Sequence, residues 1–142
     1  IDVLVFLTGS LVDSVCVNAL GPGASLISDN VAILVKFKNG SNGVINYFSN
    51  GSSKYSKERL EVYSQGRTWI MDNYKKTQLF GMKNFKNLKT KVDKGHRIQF
   101  EKFIRKIKEG GQPLIPISEI INVTKASFAS IDSIKNNKWI KI

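Results

Sequence analysis

Apolar and polar residues alternate through most of residues 12–80, and this period of two predicts β-strands. In the stretch "NVAILVKF" (30–37) the alternation places Val31, Ile33, Val35 and Phe37 on one face. The signal occurs in six stretches: SVCVNAL, NVAILVKF, GVINYF, ERLEVYS, RTWIMD and KKTQLF. Turns such as KNGSNG and QG separate them, which predicts a largely antiparallel meander.

Within the stretch ERLEVYS, Leu60 and Val62 alternate with polar neighbours and so share one face of the predicted strand. The residues on its other face are Arg59, Glu61 and Tyr63. In the same way, the stretch RTWIMD places Trp69 and Met71 on one face of a predicted strand and Thr68 and Ile70 on the other.

Three stretches have helical character. Asp2 to Thr8 predicts a short helix that ends at Gly9, with Asp2 capping its start. From His96 to Lys108 an apolar stripe recurs at helical spacing, and a Gly-Gly pair follows it. The stripe consists of Phe100, Phe103, Ile104 and Ile107. A third helix is expected after Ser118, as its N-cap, and continues to about Ile134.

These elements predict one α+β domain over residues 1–142. We expect an open, mostly antiparallel twisted sheet of at least five strands, with helices covering one face. The other face is expected to keep apolar residues, namely Ile45, Tyr47, Trp69 and Phe80. A sheet face of that kind usually meets a partner.

Composition excludes several classes of protein. The chain has 142 residues and 42% hydrophobic residues, but no apolar run approaches the roughly 20 residues of a membrane span. No membrane partner is therefore expected, and with no basic leader a cytoplasmic location is the default. Cys16 is the only cysteine, so neither an intrachain disulfide nor a cysteine-based zinc site is possible.

The net charge of +11 is concentrated in one part of the chain. Residues 75–108 contain twelve Lys or Arg against two acids, and five of the lysines lie in GMKNFKNLKTKVDKG. One interpretation is a basic loop that binds phosphate, an anionic sugar, nucleic acid or another anionic partner. The alternative is a solvated lysine-rich loop. No RNP-type, helix-turn-helix or zinc-finger signature supports nucleic acid.

The residues themselves give no complete active site. There is no glycine-rich dinucleotide fingerprint, no P-loop and no metal-ligand spacing. The single histidine, His96, stands where a helix begins, after Asp93. It is either a helix-start residue capped by Asp93 or a group that contacts substrate or moves a proton. We assign no catalytic, cofactor-binding or metal-binding residue.

The ordered motifs resemble the C-terminal domain of the Gfo/Idh/MocA family, the glucose–fructose oxidoreductases and inositol dehydrogenases. The resemblance rests on DNVAILVKFKNGSNGVINYFSNGSSKYSKERLEVYSQGRTWIMDNYKKTQLFG, DKGHRIQFEKFIRKIKEGG and IPISEIINVTKASFASIDS. The resemblance runs from Ile1 to about Asn136. Within the family, the chain is similar to sugar-processing members from surface-polysaccharide gene sets. It implies a fold like the C-terminal domain of glyceraldehyde-3-phosphate dehydrogenase.

The resemblance also implies what the rest of the protein contains. Members carry an N-terminal Rossmann domain that binds NAD or NADP, and a signature His shortly before an "ID" pair, here Ile1-Asp2. The expectation is that this chain begins just after that His. It would then bind no cofactor alone and be inactive alone, while the whole protein transfers hydride between a sugar and nicotinamide.

The resemblance implies that this domain walls the substrate site and pairs with its copy in a homodimer or larger assembly. The substrate-binding candidates are Tyr55, Lys57, His96, Asn46 and Tyr47. Tyr55 and Lys57 belong to a connecting segment rich in hydrogen-bonding groups, and Asn46 and Tyr47 belong to the strand GVINYF. Two other hypotheses remain: a non-catalytic binding module that uses residues 75–108, and a dimerisation domain from an inactive homologue.

Overall fold

The computed structural model describes residues 1–21, 28–85 and 87–142. The sequence GPG also predicts a turn at Gly21–Gly23, which lies mostly outside these ranges, and Lys86 of the basic stretch lies outside them as well. The described elements are α1 (Asp2–Thr8), β1 (Val12–Ala19), β2 (Asn30–Phe37), β3 (Asn42–Phe48), β4 (Arg59–Ser64), β5 (Arg67–Asp72), β6 (Lys76–Phe80), β7 (Leu88–Lys89), α2 (His96–Glu109), α3 (Ile117–Asn136) and β8 (Ile140–Lys141).

The expected α+β class, with open antiparallel sheets, is confirmed. The strands pair in two four-stranded sheets rather than in one larger sheet, with orders β3-β2-β1-β8 and β4-β5-β6-β7. The chain forms two compact units, one of residues 1–50 and 111–142 and the other of residues 51–110. The sheets separate where residues 49–58, rich in Ser, Lys and Gly, interrupt the alternation of β3 and β4.

In the first unit, the alternation in β2 correctly predicts the face that is buried. Val35 and Phe37 are buried, and Val35 pairs with Val15 of β1. Ile45 of β3 pairs with Ile33 and packs against the same core, so its expected place on the open face is wrong. The reason is register: directly paired residues share a face, and the register aligns Ile45 with the buried side of β2.

Helix α1 lies close to β3 because Gly43 has no side chain. A Cβ at Gly43 would come within 2.8 Å of Leu4 Cδ1. Val5, on the same turn of α1, is 2% exposed and belongs to the core. The helix ends at Gly9 as predicted, with φ of 60°, a conformation that glycine adopts at little cost.

Helix α3 is fixed to β1 by two buried polar side chains. Asn122 accepts a hydrogen bond from the Val12 amide N at 2.7 Å and donates one to the Val12 carbonyl oxygen at 3.0 Å. The Ser133 hydroxyl accepts from the Val17 amide N at 2.9 Å and donates to the Lys138 carbonyl oxygen at 2.7 Å. Because buried backbone groups need partners, these contacts determine where α3 lies along β1.

In the second unit, the sheet has one mainly apolar face. Pairing across β4, β5 and β6 brings together Leu60, Val62, Trp69, Met71 and Leu79. The sequence prediction that Trp69 and Met71 oppose Thr68 and Ile70 is confirmed. Phe80 pairs with Thr68 and so lies on the face opposite Trp69, which corrects the expectation that both occupy one open face.

The predicted helices are present, but their ends differ from the prediction. Helix α3 begins at Ile117 after Pro116, so Ser118 lies inside the helix and is not its cap. Asp2 is the first residue of α1 and makes no capping hydrogen bond there. Pro116 takes the N-cap position with φ of −58°, and its carbonyl oxygen accepts from the Glu119 amide N at 3.0 Å. The short strand β7, within a stretch expected to be irregular, pairs with β6.

We predict that Asn122→Ala strongly destabilises the first unit. The substitution leaves the buried amide and carbonyl of Val12 without partners, and each such group costs about 1–3 kcal/mol. We expect the free energy of unfolding to fall by about 2–4 kcal/mol in equilibrium urea unfolding followed by circular dichroism. Asn136→Ala is the control, since this exposed asparagine of α3 donates its side-chain hydrogen bond to the Asp132 carbonyl oxygen of its own helix. Equal effects of the two substitutions would contradict the proposed role of Asn122.

Candidate functional site

The five predicted substrate-binding residues are divided between the two compact units. Asn46 and Tyr47 lie on β3 in the first unit, and Tyr55, Lys57 and His96 lie in the second.

Asn46 and Tyr47 occupy opposite faces of the first sheet. Asn46 pairs with Ala32, whereas Tyr47 pairs with Val31 and shares the face of Ile45. Tyr47 is 54% exposed. Since successive residues of a strand point to opposite sides, a ligand on one face of this sheet meets one of these side chains and not both.

Tyr55 and Lys57 lie in the segment that precedes β4. The Tyr55 amide N donates to the Ser52 carbonyl oxygen at 3.0 Å, and the Tyr55 side chain is exposed. The Lys57 ammonium lies 3.8 Å from a carboxylate oxygen of Glu58. Its side chain is 80% exposed, so this contact restricts it little. Both side chains are free to meet a ligand.

His96 is the first residue of α2 and is exposed. The residue before it, Gly95, has φ of 75° and is the N-cap. Asp93 accepts a hydrogen bond from the Gly95 amide N at 2.7 Å. The carboxylate thus stabilises the turn that leads into α2 and bonds to no amide within the helix, so the expected Asp93 cap is replaced by an Asx-type turn.

Three side chains on one face of β4 form a cluster that the sequence analysis did not assign to a site. Glu61 accepts from Arg59 Nε at 2.7 Å and, through its other carboxylate oxygen, from the Tyr63 hydroxyl at 2.5 Å. Arg59 Nη2 also lies 2.6 Å from Glu61. The alternation in ERLEVYS placed these residues together, and their opposite hydrogen-bonding roles were the signal that could have revealed the cluster.

The cluster holds each member in one protonation state near neutral pH. Hydrogen bonds from Tyr63 and then Arg59 lower the pKa of Glu61, so it stays a carboxylate. The hydrogen bond that Tyr63 donates to Glu61 raises the pKa of Tyr63, and the phenol therefore keeps its proton. The pKa of Arg59 is raised by the same carboxylate. The cluster can orient hydrogen bonds, but it is not arranged for proton transfer at neutral pH.

The basic stretch exposes the lysines that the structure describes. Its lysines and those of α2 are mostly exposed, and Lys94 lies 6.0 Å from the Tyr74 ring centroid. Within the described ranges no three His, Cys, Asp or Glu residues come together as metal ligands. None of the described helices is both long and apolar enough to span a bilayer.

Comparison with solved structures places this architecture among NAD-binding oxidoreductases. Levoglucosan dehydrogenase in complex with NADH and levoglucosan matches all of the chain, with a TM-score of 0.81 and 17% identity. An NAD-binding oxidoreductase from Klebsiella pneumoniae matches 99% of it, with a TM-score of 0.79 and 17% identity. The chain has their fold. These neighbours are of the Gfo/Idh/MocA type, so the fold that the sequence resemblance implied is confirmed.

A third neighbour has the same fold, and all three neighbours are about twice as long as this chain. UDP-N-acetylglucosamine 3-dehydrogenase from Acidithiobacillus ferrooxidans covers 94% of the chain, with a TM-score of 0.68 and 14% identity. The chain covers only 47%, 47% and 46% of these three structures, so it spans about half their length. No protein-family model and no curated protein sequence matches it.

We predict that Tyr63→Phe raises the pKa of Glu61 towards the ordinary value of about 4.3. The Tyr63 hydroxyl is the largest cause of the lowered pKa, and Phe removes it while keeping the ring. The pKa can be measured by NMR titration of the side-chain carboxyl carbon. Because the folded-state pKa lies below the unfolded value, the cluster stabilises the fold above about pH 4.3, and this contribution disappears as the pH falls through the folded-state pKa.

Tyr74→Phe is the control for this titration, because Tyr74 lies in the same unit and its hydroxyl makes no hydrogen bond to Glu61. The pKa of Glu61 should not change in that variant. A Glu61 carboxyl that titrates alike in the wild type and in Tyr63→Phe would show that the cluster does not form in solution.

Proposed function

We propose that this chain is the substrate-side, C-terminal part of an NAD- or NADP-dependent oxidoreductase that acts on a sugar or sugar derivative. One observation carries the proposal: levoglucosan dehydrogenase matches the chain from end to end with a TM-score of 0.81, although the chain spans only 47% of that enzyme. The remainder of such an enzyme would bind the cofactor, and this chain contributes no cofactor-binding residue.

The sugar substrate is inferred from three kinds of support. Two neighbours are named for sugar substrates, levoglucosan and UDP-N-acetylglucosamine, and one levoglucosan dehydrogenase structure contains L-sorbose. The second unit presents exposed hydroxyl, carboxylate and ammonium groups, which are the groups that bind sugar hydroxyls. The third support is the resemblance of the sequence to the Gfo/Idh/MocA family.

In this proposal the chain binds and orients the sugar, and nicotinamide bound to the other part exchanges a hydride with a sugar carbon. Tyr55 and Lys57 would donate hydrogen bonds to the sugar or to an anionic group that it carries. His96 would contact substrate or accept the proton of the reacting hydroxyl. Asn46 and Tyr47 are separate candidates on the first unit, where a sugar on one face of the sheet would meet one of them and not both. Holding the two reacting carbons in contact lowers the barrier.

The same proposal assigns the apolar face of the second sheet to a homodimer. Trp69 is 42% exposed although it shares this face with Leu60, Val62 and Met71. Its ring contacts Phe85, with ring centroids 5.8 Å apart. An exposed aromatic centre among apolar neighbours is typical of a protein interface, and a two-fold axis would pair this patch with itself.

We predict that the full gene product oxidises or reduces sugars with NAD(H) or NADP(H), and that Tyr55→Phe, Lys57→Ala and His96→Ala lower kcat/KM. Each removes one hydrogen-bonding group from the proposed wall. Loss of one hydrogen bond costs about 0.5–3 kcal/mol, so kcat/KM should fall by roughly threefold to a hundredfold. Cofactor affinity, measured by NADH fluorescence, should not change.

Lys125→Ala, at an exposed lysine of α3, is the control for the charge change and should keep wild-type kinetics. Wild-type kcat/KM in all three test variants would place the wall elsewhere. A full gene product that neither binds NADH or NADPH nor turns over any sugar would refute the proposed function itself.

We predict that Trp69→Glu dissociates the homodimer. A two-fold interface places the new carboxylate twice in one apolar contact, where a desolvated charge is costly. The mass should halve in light scattering at tens of micromolar protein. Phe80→Glu is the matched control, because Phe80 is an exposed aromatic residue on the opposite face of the same sheet. A wild-type monomer, or a dimer that resists Trp69→Glu, would argue against this interface.

A further inference from the structure

Helix α2 exposes most of its apolar stripe. None of its fourteen residues is buried. Phe100, Phe103 and Ile107 are 66%, 52% and 64% exposed, and Ile104 is half-buried. These four side chains recur at helical spacing and so form one continuous strip along the helix.

A helix of this kind needs a surface to pack against. Isolated helices of about 12–15 residues are marginal in water, and most helix stability in proteins comes from burying one apolar face. The stripe of α2 is continuous, large and aromatic. It is therefore suited to be covered by another surface in the working protein.

The charges of α2 argue against a second copy of α2 as the covering surface. The helix carries five basic residues and two acids. They are Arg97, Lys102, Arg105, Lys106 and Lys108, against Glu101 and Glu109. Arg105 and Lys108 border the hollow lined by Phe100 and Ile104, together with Glu101, which is paired with Arg97 at 2.9 Å. Two such stripes face to face would bring like charges together, whereas a partner with acidic groups around an apolar centre would complement this rim.

We propose that the cofactor-binding part of the same oxidoreductase docks on the apolar stripe of α2. The proposal rests on the proposed function, in which this chain is one part of a longer enzyme. Levoglucosan dehydrogenase matches the whole chain, α2 included, and more than half of that enzyme lies outside the match. The partner surface is accordingly an apolar patch with an acidic rim, supplied by the same polypeptide.

This docking has a consequence for His96. His96 precedes Phe100 by four residues and Phe103 by seven, so it continues the stripe at the N-terminal end of α2. A surface that covers the stripe therefore reaches His96 as well. The imidazole then lies at the boundary between the cofactor-binding part and the sugar-binding part, which is where hydride transfer takes place in the proposed function.

The test is amide hydrogen exchange on the full gene product. The amides of α2 should exchange slowly, and Ile104→Gln should speed their exchange by roughly tenfold or more, since it weakens the docked face. Ile98→Gln is a matched control on the same helix. Ile98 is 45% exposed and lies about 160° around the helix from Phe100, on the opposite side from the stripe. Gln adds no charge, so the helix dipole does not distinguish the two variants.

Three results would overturn the docking proposal: fast exchange of α2 in the wild type, equal effects of the two variants, or protection that disappears when a dimer is diluted to monomer. The last would identify a second copy as the occupant. NADH and NADPH binding, measured on the same samples, tests the proposed function separately. Protected α2 without cofactor binding refutes that function, whereas cofactor binding with unprotected α2 refutes only the docking.

Discussion

The arrangement of the first unit depends on the two hydrogen bonds that join Asn122 to the backbone of Val12. These residues are 110 positions apart in sequence, and the contact is buried. A one-turn slip of α3 along β1 would leave two backbone groups of Val12 unsatisfied, so the bonds select one position among the many that apolar packing alone would accept. Near the other end of the helix, the Ser133 hydroxyl makes a similar pair of hydrogen bonds, accepting one from Val17 and donating one to Lys138. Valine and alanine contacts then fill the space that these bonds define.

The second unit is built differently, and this difference bears on function. Among the described residues of this unit, Leu79 alone is buried, at 8% exposure, while Trp69, Phe80 and most of the stripe of α2 are accessible. A unit with so little core of its own gains stability when partners cover its surfaces. We propose that Trp69 meets a second copy, that the stripe of α2 meets the cofactor-binding part, and that Tyr55, Lys57 and His96 meet the substrate.

Alternation alone predicted much of the fold. It placed β2 at residues 30–37 and β5 at residues 67–72, where the structure has them, because both strands combine a strict period of two with clear turns. It could not predict which strand faces coincide, since that depends on register between strands. For this reason the assignment of Ile45 and Tyr47 to the face opposite the core was wrong, and so was the assignment of Trp69 and Phe80 to a single face. Asn122 and Ser133 were not identified either, because a polar residue within an apolar stripe does not indicate which distant backbone group it will meet.

The Arg59–Glu61–Tyr63 cluster is suited to hydrogen bonding with a ligand and not to proton transfer. Sugar oxidation requires a group that accepts a proton from the reacting hydroxyl, and the lowered pKa of Glu61 together with the raised pKa of Tyr63 makes both poor at this near neutral pH. Their fixed protonation suits them to orient hydroxyl groups, which require a constant pattern of donors and acceptors. In the proposed function, His96, the single imidazole of this chain, would then be its candidate for that role. In the same proposal, the position of His96 at the end of the stripe of α2 links that role to the docking of the cofactor-binding part, so a change that loosens α2 should affect the chemical step more than the binding of the sugar.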